Sequence, residues 1–225
     1  MRSYPIHLVG LENQRCLVIG GGEVAARKAA GLVAAGAHPL LISPSLHPQL
    51  NDMLVVGQIE HLTRPYQPGD LQDAFLVIAA TTDPHINRQI GETCRKMGVL
   101  VNVVDAPKEC NFIAPAVVRQ GDFVVSISTG GATPALAARI RAQLETQFGP
   151  HYGAMVALCA AIRPAMRAAF PDPEERKAHW YELVDSPVLS LLAAGRDSEA
   201  RALIEAILET HLDEIPHLEA LMDSQ

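Results

Sequence analysis

A glycine-rich turn separates a short apolar run from an alanine-rich helical pattern near the N-terminus. Gly20 and Gly22 follow Leu17-Val18-Ile19, and Ala25 completes a Gly-x-Gly-x-x-Ala pattern. In such a turn the first glycine permits a tight bend, the second lets backbone approach a pyrophosphate, and the alanine allows close helix packing. A helix beginning near Glu23 would direct free N–H groups at the anion. A glycine-rich turn without any ligand is the alternative.

Asp105 is the second candidate for chemistry, because it directly follows the run 99–104, which is apolar except for Asn102. In an open α/β sheet, ligands bind beyond the carboxyl ends of the strands, so we expect Asp105 beside the nicotinamide. Its carboxylate could accept a proton while a hydride leaves for the cofactor. The alternative is an Asx turn, in which the carboxylate accepts a backbone N–H within 105–107.

A third candidate is the segment 128–134, which combines hydroxyl groups, a glycine pair and a predicted helix N-terminus. Ser128, Gly130 and Gly131 would form a concave surface that binds anions, and Arg139 and Arg141 follow within the helix. A substrate with several carboxylates would use all of these groups. Alternatively, the glycines only permit a sharp turn and the arginines only solvate a helix face.

The loop after the second predicted strand departs from the usual dinucleotide-binding pattern. About twenty residues after the glycines, such folds commonly place an acidic residue that binds the ribose hydroxyls. Here Ile42 is followed by Ser43-Pro44-Ser45, and no arginine is present to bind a 2′-phosphate. The serine hydroxyl and backbone groups could bind the ribose instead. These residues leave the choice between NAD and NADP open.

Strands and helices alternate regularly through the first half of the chain. The patterns predict strands at 16–19, 39–42, 59–62, 75–80 and 99–104, helices at 24–35, 47–54 and from Asp83 to Gly98, and an extra edge segment at 5–9. Parallel neighbours need crossover helices, so this alternation predicts a doubly wound, Rossmann-type parallel sheet.

After Pro107 the pattern changes to an antiparallel hairpin, with strands at 116–118 and 123–128 around a turn at 119–122. Thr133 and Pro134 then suit the N-cap and first position of a helix. An apolar stripe runs along that helix: Leu136, Ile140, Leu144 and Phe148. The stripe either packs on the first domain or forms a subunit interface.

Beyond Gly149-Pro150 only helical patterns remain, interrupted at Pro164, at 171–173, at Pro187 and at Gly195. We therefore predict three parts: a dinucleotide-binding domain at 1–112, a small α+β dimerisation segment at 113–149, and a helical domain at 150–225. An acidic, frayed end is expected from Glu209 onward.

Composition excludes several classes of function. The 225 residues are 48% hydrophobic and 19% charged, with a formal net charge of −7, so attraction to nucleic acid or anionic membranes is not expected. The N-terminus lacks the apolar segment of a secretory signal, which favours a cytoplasmic protein. The four cysteines and nine histidines are scattered without metal-ligand spacing, so we predict reduced, mostly buried cysteines and no metal site.

Five motifs in fixed order resemble the precorrin-2 dehydrogenase / sirohydrochlorin ferrochelatase family, the N-terminal module of siroheme synthase. The resemblance extends from about residue 5 to residue 148. The motifs are VIGGGEVAARK at 18–28, AATTD at 79–83, VNVVDAP at 101–107, NFIAPA at 111–116 and SISTGGATPALA at 126–137. Together they are far more specific than one glycine-rich turn.

This resemblance implies a homodimer that uses NAD to oxidise precorrin-2 to sirohydrochlorin, and in many members also inserts Fe²⁺ to make siroheme. The family's shared catalytic aspartate corresponds to Asp105, and a serine near the tetrapyrrole corresponds to Ser128. The implied dinucleotide contacts are Glu23, Val24, Ser43, Pro44, Thr81 and Thr82. Because the chain ends at Gln225, we expect no fused methyltransferase and a separate source of precorrin-2.

Two other functions fit parts of the same sequence. A regulatory module that senses NAD without catalysis would explain the glycine-rich turn but not the segment 128–134. An oxidoreductase acting on another polycarboxylate would explain both features. Formation of NADH from precorrin-2 distinguishes the dehydrogenase from both alternatives.

Overall fold

The computed structural model describes residues 3–208 and divides the chain into two compact units between Ala114 and Pro115. The predicted acidic end from Glu209 lies outside the described residues. Each unit is described by itself below.

The described part of the first unit contains a parallel sheet with the strand order β3-β2-β1-β4-β5. Its strands are β1 (Cys16–Ile19), β2 (Leu40–Ser43), β3 (Glu60–Thr63), β4 (Leu76–Ala79) and β5 (Leu100–Val103). The crossover helices are α1 (Glu23–Val33), α2 (Pro48–Val55) and α3 (Pro84–Met97). The predicted doubly wound sheet is confirmed.

Local sequence explains where these helices begin and end. Asp83 caps α3, since its Oδ1 accepts the backbone N–H of His85 at 2.8 Å and that of Ile86 at 3.4 Å. Gly98 ends the helix in the left-handed region at φ 74°. The strands β1 and β4 are buried along their whole length, as central parallel strands must be, and the two core clusters lie on opposite faces of the sheet.

The predicted extra edge segment at 5–9 is wrong, because no strand forms there. The β5 edge is instead covered by the segment that follows it. The Asn111 side chain accepts the N–H of Val101 at 2.7 Å and donates to the carbonyl of Val99 at 2.8 Å. The Asn111 backbone N–H donates to the Val101 carbonyl at 3.1 Å. These bonds use the groups with which another strand would pair.

The second unit begins with the predicted hairpin, formed by β6 (Ala116–Gln120) and β7 (Phe123–Ile127). The predicted four-residue turn is wrong, because the strand continues to Gln120, which pairs with Phe123. A two-residue turn suffices because Gly121 adopts φ 56°.

Helices follow through the described part of the second unit: α4 (Pro134–Gln147), α5 (Pro150–Ala169), α6 (Pro173–Asp185), α7 (Val188–Ala193) and α8 (Asp197–Leu208). Pro164 lies inside α5, so the predicted interruption there is wrong. The tertiary packing of the flanking turns compensates for the hydrogen bond that proline removes, since Ile162 and Met166 are fully buried.

The second unit has its own core, formed by α5, α6, α7 and α8. The hairpin also packs on α5, where a Cβ on Gly153 would lie only 2.6 Å from the carbonyl oxygen of Gln120. The aromatic rings of Phe123, Phe148 and Tyr152 cluster beside this contact. Domain boundaries at 112/113 and 149/150 stay a prediction. Across residues 3–208, no helix is both long and apolar enough to cross a membrane.

Candidate functional site

Four loops meet at the carboxyl edge of the sheet because their strands are parallel and in register. The hydrogen bonds continue past the strands: Gly20 N–H donates to the Ile42 carbonyl at 3.0 Å, and Ala80 N–H donates to the Ile19 carbonyl at 2.8 Å. The glycine-rich loop is therefore central, flanked by the loop after β2 and the loop after β4. This edge includes the point where strand order reverses, which is the usual ligand position in such sheets.

Two of the three consecutive glycines are required by the protein's own packing. Gly20 has φ 124°, and a Cβ there would lie 2.2 Å from the carbonyl oxygen of Ala80. A Cβ on Gly21 would lie 1.9 Å from the carbonyl oxygen of Ser45. The sequence interpretation assigned roles to Gly20 and Gly22 and missed Gly21. The run of three glycines was the signal that could have identified it.

Gly22 is different, because neither its backbone nor its surroundings require glycine. Its φ of −84° is accessible to any residue, and apart from its chain neighbours no described heavy atom lies within 4 Å of a Cβ built on it. Gly22 is the N-cap of α1, and no side chain of the described residues caps this helix. The exposed N-terminus, with the backbone of Glu23 and Val24 in its first turn, therefore fits an anionic group such as a pyrophosphate.

The loop after β2 is held by its own polar groups. The Ser43 hydroxyl is buried and donates to the Ser45 carbonyl at 2.7 Å. The backbone N–H of His47 donates to the Gly21 carbonyl at 2.7 Å, which joins this loop to the glycine-rich loop. Pro44 is exposed. Since the Ser43 proton is already used, exposed groups of Pro44 and Ser45 remain for contact with a ribose.

Thr81 and Thr82 follow β4 on the other side of the glycine-rich loop, as predicted. The Asn87 side chain fixes Thr81: Oδ1 accepts the Thr81 backbone N–H at 3.1 Å, and Nδ2 donates to the Thr81 carbonyl at 3.0 Å. The Thr81 hydroxyl donates to the same Oδ1 at 2.7 Å. Thr82 is exposed. Asn87 is buried and was missed, because an asparagine in the first turn of a helix is not distinctive in sequence.

Asp105 lies in the turn directly after β5 and is exposed. It adopts φ 58°, in the left-handed region that only glycine, asparagine and aspartate enter readily. The turn is closed by the backbone, since Ala106 N–H donates to the Val103 carbonyl at 3.3 Å. No donor of residues 3–208 forms a hydrogen bond with the Asp105 carboxylate, so the alternative Asx turn is not formed.

The segment after Asp105 is held against β5 by Cys110. Its Sγ accepts the Val103 backbone N–H at 3.1 Å and lies 3.4 Å from the Ala106 carbonyl oxygen. All four cysteines are free, as predicted. Burial raises the pKa of Cys94 to about 11 and also raises the pKa of Cys16, so these two thiols are poor nucleophiles at neutral pH.

Within the second unit, the turn at 128–134 satisfies part of its own backbone. The Ser128 hydroxyl accepts the Gly130 N–H at 3.2 Å, and the Thr129 hydroxyl accepts the Thr133 N–H at 3.2 Å. Gly130 and Gly131 both have positive φ, at 61° and 79°. Thr133 is the N-cap of α4, as predicted, although its own hydroxyl does not cap the helix.

The two arginines of α4 point to different sides of the helix. Two residues correspond to a rotation of about 200°, so Arg139 and Arg141 project from nearly opposite sides of α4. Arg141 forms an ion pair with Glu145, one turn later, whereas Arg139 is exposed. Their role toward substrate stays a prediction.

Metal-ligating residues do not cluster in the described part of the chain, where no group of three or more His, Cys, Asp or Glu could hold an ion.

Comparison with known families matches nearly the whole described chain. An NAD(P)-binding family model matches residues 8–116. The model of the sirohaem biosynthesis protein central region matches residues 125–147, and that of the sirohaem synthase dimerisation region matches residues 151–208. The first match covers all four loops of the candidate dinucleotide site, including the glycine-rich loop.

Curated relatives show the same relationship. A siroheme synthase of Thioalkalivibrio sulfidiphilus is 39% identical over 213 residues, which are 95% of this chain and 43% of that protein. A siroheme synthase of Pseudomonas putida is 41% identical over 199 residues, which are 88% of this chain and 43% of that protein. The chain thus spans less than half the length of these relatives.

A solved structure shares the fold. The structure of SirC, a precorrin-2 dehydrogenase, superposes with a TM-score of 0.74 at 24% identity, over 92% of this chain and 100% of that one. The order of the three family matches, the identity to the curated relatives and this common fold agree with one another. The chain therefore contains regions that match the NAD(P)-binding, sirohaem central and sirohaem synthase dimerisation models, and most of its length is similar to part of the curated siroheme synthases.

Proposed function

We propose that this chain oxidises precorrin-2 to sirohydrochlorin with NAD, acting as a homodimer with Asp105 as the general base. One observation carries the proposal. The carboxylate of Asp105 is exposed and unpaired among the described residues, and it lies on the same edge of the sheet as the N-terminus of α1, which no side chain caps. The names of the similar proteins, siroheme synthase and precorrin-2 dehydrogenase, support the choice of substrate.

Each part of the edge has a separate task in this reaction. Backbone N–H groups at the start of α1 bind the pyrophosphate, and the backbone around Thr81 lines the next stretch of the dinucleotide. Bound NAD supplies the hydride acceptor. The Asp105 carboxylate accepts the proton that leaves the substrate as its carbon–carbon double bond forms. The left-handed turn leaves that carboxylate without a hydrogen-bond donor from its own loop.

Charge around the ribose loop supports NAD over NADP. A 2′-phosphate needs a nearby cation, and Ser43-Pro44-Ser45 provides none. The nearest cation along the neighbouring strand is Arg64, directly after β3. Its guanidinium is held by Asp70 through two bonds, at 2.6 and 2.9 Å, so it is already neutralised.

The segment 128–141 of the second unit is proposed to bind carboxylates of the tetrapyrrole. A substrate with many carboxylates needs cations and N–H groups, and we propose that the turn formed by Ser128, Gly130 and Gly131 and the two α4 arginines provide them, Arg141 by exchanging the solvent-exposed Glu145 for a substrate carboxylate. Because Arg139 and Arg141 project from opposite sides of α4, they are proposed to contact different carboxylates. The matched dimerisation region supports a homodimer.

Insertion of Fe²⁺ into sirohydrochlorin is proposed as a second reaction of the same site. Chelation displaces pyrrole protons, and the Asp105 carboxylate could accept them as it does in the oxidation. Here Fe²⁺ is a substrate. Siroheme formation from sirohydrochlorin and Fe²⁺, or its Co²⁺ analogue, measured by absorbance without NAD, tests this reaction separately. Both reactions are proposed to take place in the cytoplasm.

The main test replaces Asp105 and compares it with a matched aspartate. Asp73 is also exposed and left-handed, at φ 57°, but it precedes β4 at the opposite edge of the sheet. We expect Asp105→Asn to lower NADH formation from precorrin-2 by about 10²- to 10⁴-fold, and NAD affinity to change only a few-fold. Asp73→Asn should leave both unchanged. Undiminished turnover by Asp105→Asn would show that this residue only forms the turn.

A further inference from the structure

His61, on the edge strand β3, contacts the loop that we assign to the adenosine ribose. It pairs in register with Leu41, and Ser43 pairs with Thr63, so all four side chains lie on the same face of the sheet. His61 Nε2 lies 2.9 Å from the Ser43 carbonyl oxygen and 3.4 Å from the Ser43 hydroxyl oxygen. No motif in the sequence identified this residue.

The partners of the ring define its protonation in the neutral state. A carbonyl oxygen can only accept a hydrogen bond, so Nε2 carries the proton and donates it to Ser43. Nδ1 then accepts from the Thr63 hydroxyl at 3.3 Å. The ring is therefore held from both sides, by one residue of its own strand and by the last residue of β2.

Ser43 transmits this contact to both loops of the dinucleotide site. Its hydroxyl donates to the Ser45 carbonyl, and that carbonyl oxygen packs against the bare Cα of Gly21. The position of the Ser45 backbone thus depends on Ser43, which His61 orients. An ordinary dinucleotide site would use a carboxylate in this loop, and this chain has none.

We propose that His61 is a positioning residue for dinucleotide binding: through Ser43 it holds the backbone of 43–45 in the conformation that contacts the ribose. The proposal rests on the proposed function only in requiring that the chain bind NAD. It assigns His61 to cofactor affinity and not to the chemical step, because the ring contacts Ser43 and Thr63, which belong to β2 and β3 and not to the turn at Asp105.

The test measures NADH affinity by fluorescence titration, together with KM for NAD and kcat, in His61→Leu and His61→Gln. We expect His61→Leu to raise the NADH Kd and the KM for NAD about three- to tenfold, with kcat unchanged. His61→Gln keeps an N–H donor near the Nε2 position and should restore most of the affinity.

His38→Leu is the matched control. His38 Nε2 also contacts a backbone carbonyl at 2.9 Å, that of Gly57, but His38 precedes β2 at the opposite edge of the sheet. We expect its NADH Kd to stay at the wild-type value. An equal loss of NADH affinity in His61→Leu and His38→Leu would show that His61 only stabilises the fold, and it would overturn the proposal.

Other outcomes are equally decisive. An unchanged Kd in folded His61→Leu overturns the positioning role while leaving the proposed function intact. If the wild-type chain itself fails to bind NADH, the proposed function fails first. Thr63→Val, which removes only the partner of Nδ1 at an exposed position, serves if His61→Leu does not fold, and it should raise the Kd in the same direction.

Discussion

The carboxyl edge of the first unit and the 128–141 segment of the second unit differ in how completely one chain builds them. At the sheet edge, the glycine-rich loop, the ribose loop and the Thr81 loop are joined by hydrogen bonds and by glycine contacts too close for a Cβ. In the 128–141 segment, the turn bonds mainly to itself, and only Ala137 of the fourteen described residues of α4 is buried.

This difference indicates that a single chain preorganises the dinucleotide site but not the surface around α4. A dinucleotide site needs backbone groups at defined positions, and one parallel sheet supplies them. The helix α4 leaves Leu136 48% exposed and Ile140 and Leu144 only partly buried, so its apolar stripe is not fully buried within the second unit. Of the predicted stripe, Phe148 packs on Phe123 and Tyr152 in the same unit, so the subunit interface would use the N-terminal half of α4.

The largest expected effect concerns the exposed face of α4 in the second unit. We expect Leu136→Asp combined with Ile140→Asp to convert a homodimer into monomers, because two charges cannot be buried in an apolar interface. Sedimentation velocity would measure the mass, and NADH affinity should remain unchanged. Val55→Asp, which alters an apolar side chain 86% exposed on the first unit, is the control and should leave the dimer intact. Dimers formed by the double variant would place the interface elsewhere.

A second prediction sharpens the comparison inside the preorganised site. Gly21→Ala should lower the free energy of unfolding by about 3 kcal/mol, since its Cβ would overlap the Ser45 carbonyl. Gly22→Ala should change stability by less than about 0.5 kcal/mol, because the space is open and the backbone is ordinary. It should nevertheless weaken NADH binding about tenfold or more.

Urea denaturation and NADH titration of both variants check this pair. A stable Gly21→Ala variant would contradict the close packing of the two loops. Full NADH affinity in Gly22→Ala would contradict the placement of the pyrophosphate at the start of α1.

A third prediction concerns the Thr81 loop. Asn87→Ala should lower the free energy of unfolding by about 2 kcal/mol, because it leaves the backbone N–H and carbonyl of Thr81 without their partner. Asn51→Ala, at an exposed position of α2, is the control and should stay within about 0.5 kcal/mol of wild type. Equal stability of the two variants would mean that water replaces the Asn87 amide.

The smallest expected effect compares one ion pair from each unit. A hydrogen bond from Arg64 lowers the pKa of Asp70, whose side chain is 10% exposed. A hydrogen bond from Arg196 lowers the pKa of Glu199, but both of those side chains are 56% exposed, so solvent screens the pair.

Because the folded pKa of Asp70 lies below its unfolded value, its stabilisation is complete above about pH 4 to 5 and is lost as pH falls through the folded pKa. Asp70→Asn should therefore lower Tm by about 2 to 4 °C at pH 7, and the difference from wild type should shrink toward pH 2. Glu199→Gln should lower Tm less at pH 7. A pH-independent difference for Asp70→Asn would show that lost packing, and not charge, causes it.

Hydrophobic periodicity and the capping and turn residues predicted most of the helices and strands, because these elements depend on local properties of the sequence. The run 75–80 is apolar throughout, which a strand covered on both faces requires, and Asp83 and Gly98 delimit α3 through capping and a left-handed turn. Errors arose where distant residues decided the outcome. Asn111 covers the edge that another strand could have used, and the packing of α5 maintains the helix through Pro164.

The candidate site divides in the same way. Residue types and their order along the chain showed that a glycine-rich turn, a lone aspartate and two threonines each follow a predicted strand. Because the carboxyl ends of parallel strands share one edge of the sheet, this order was sufficient to group these loops. Tertiary structure alone decided that Gly21 contacts Ser45, that His61 holds Ser43 and that Asn87 holds Thr81. Each of these contacts joins residues from different elements, and such distances follow from packing in three dimensions and not from any local pattern.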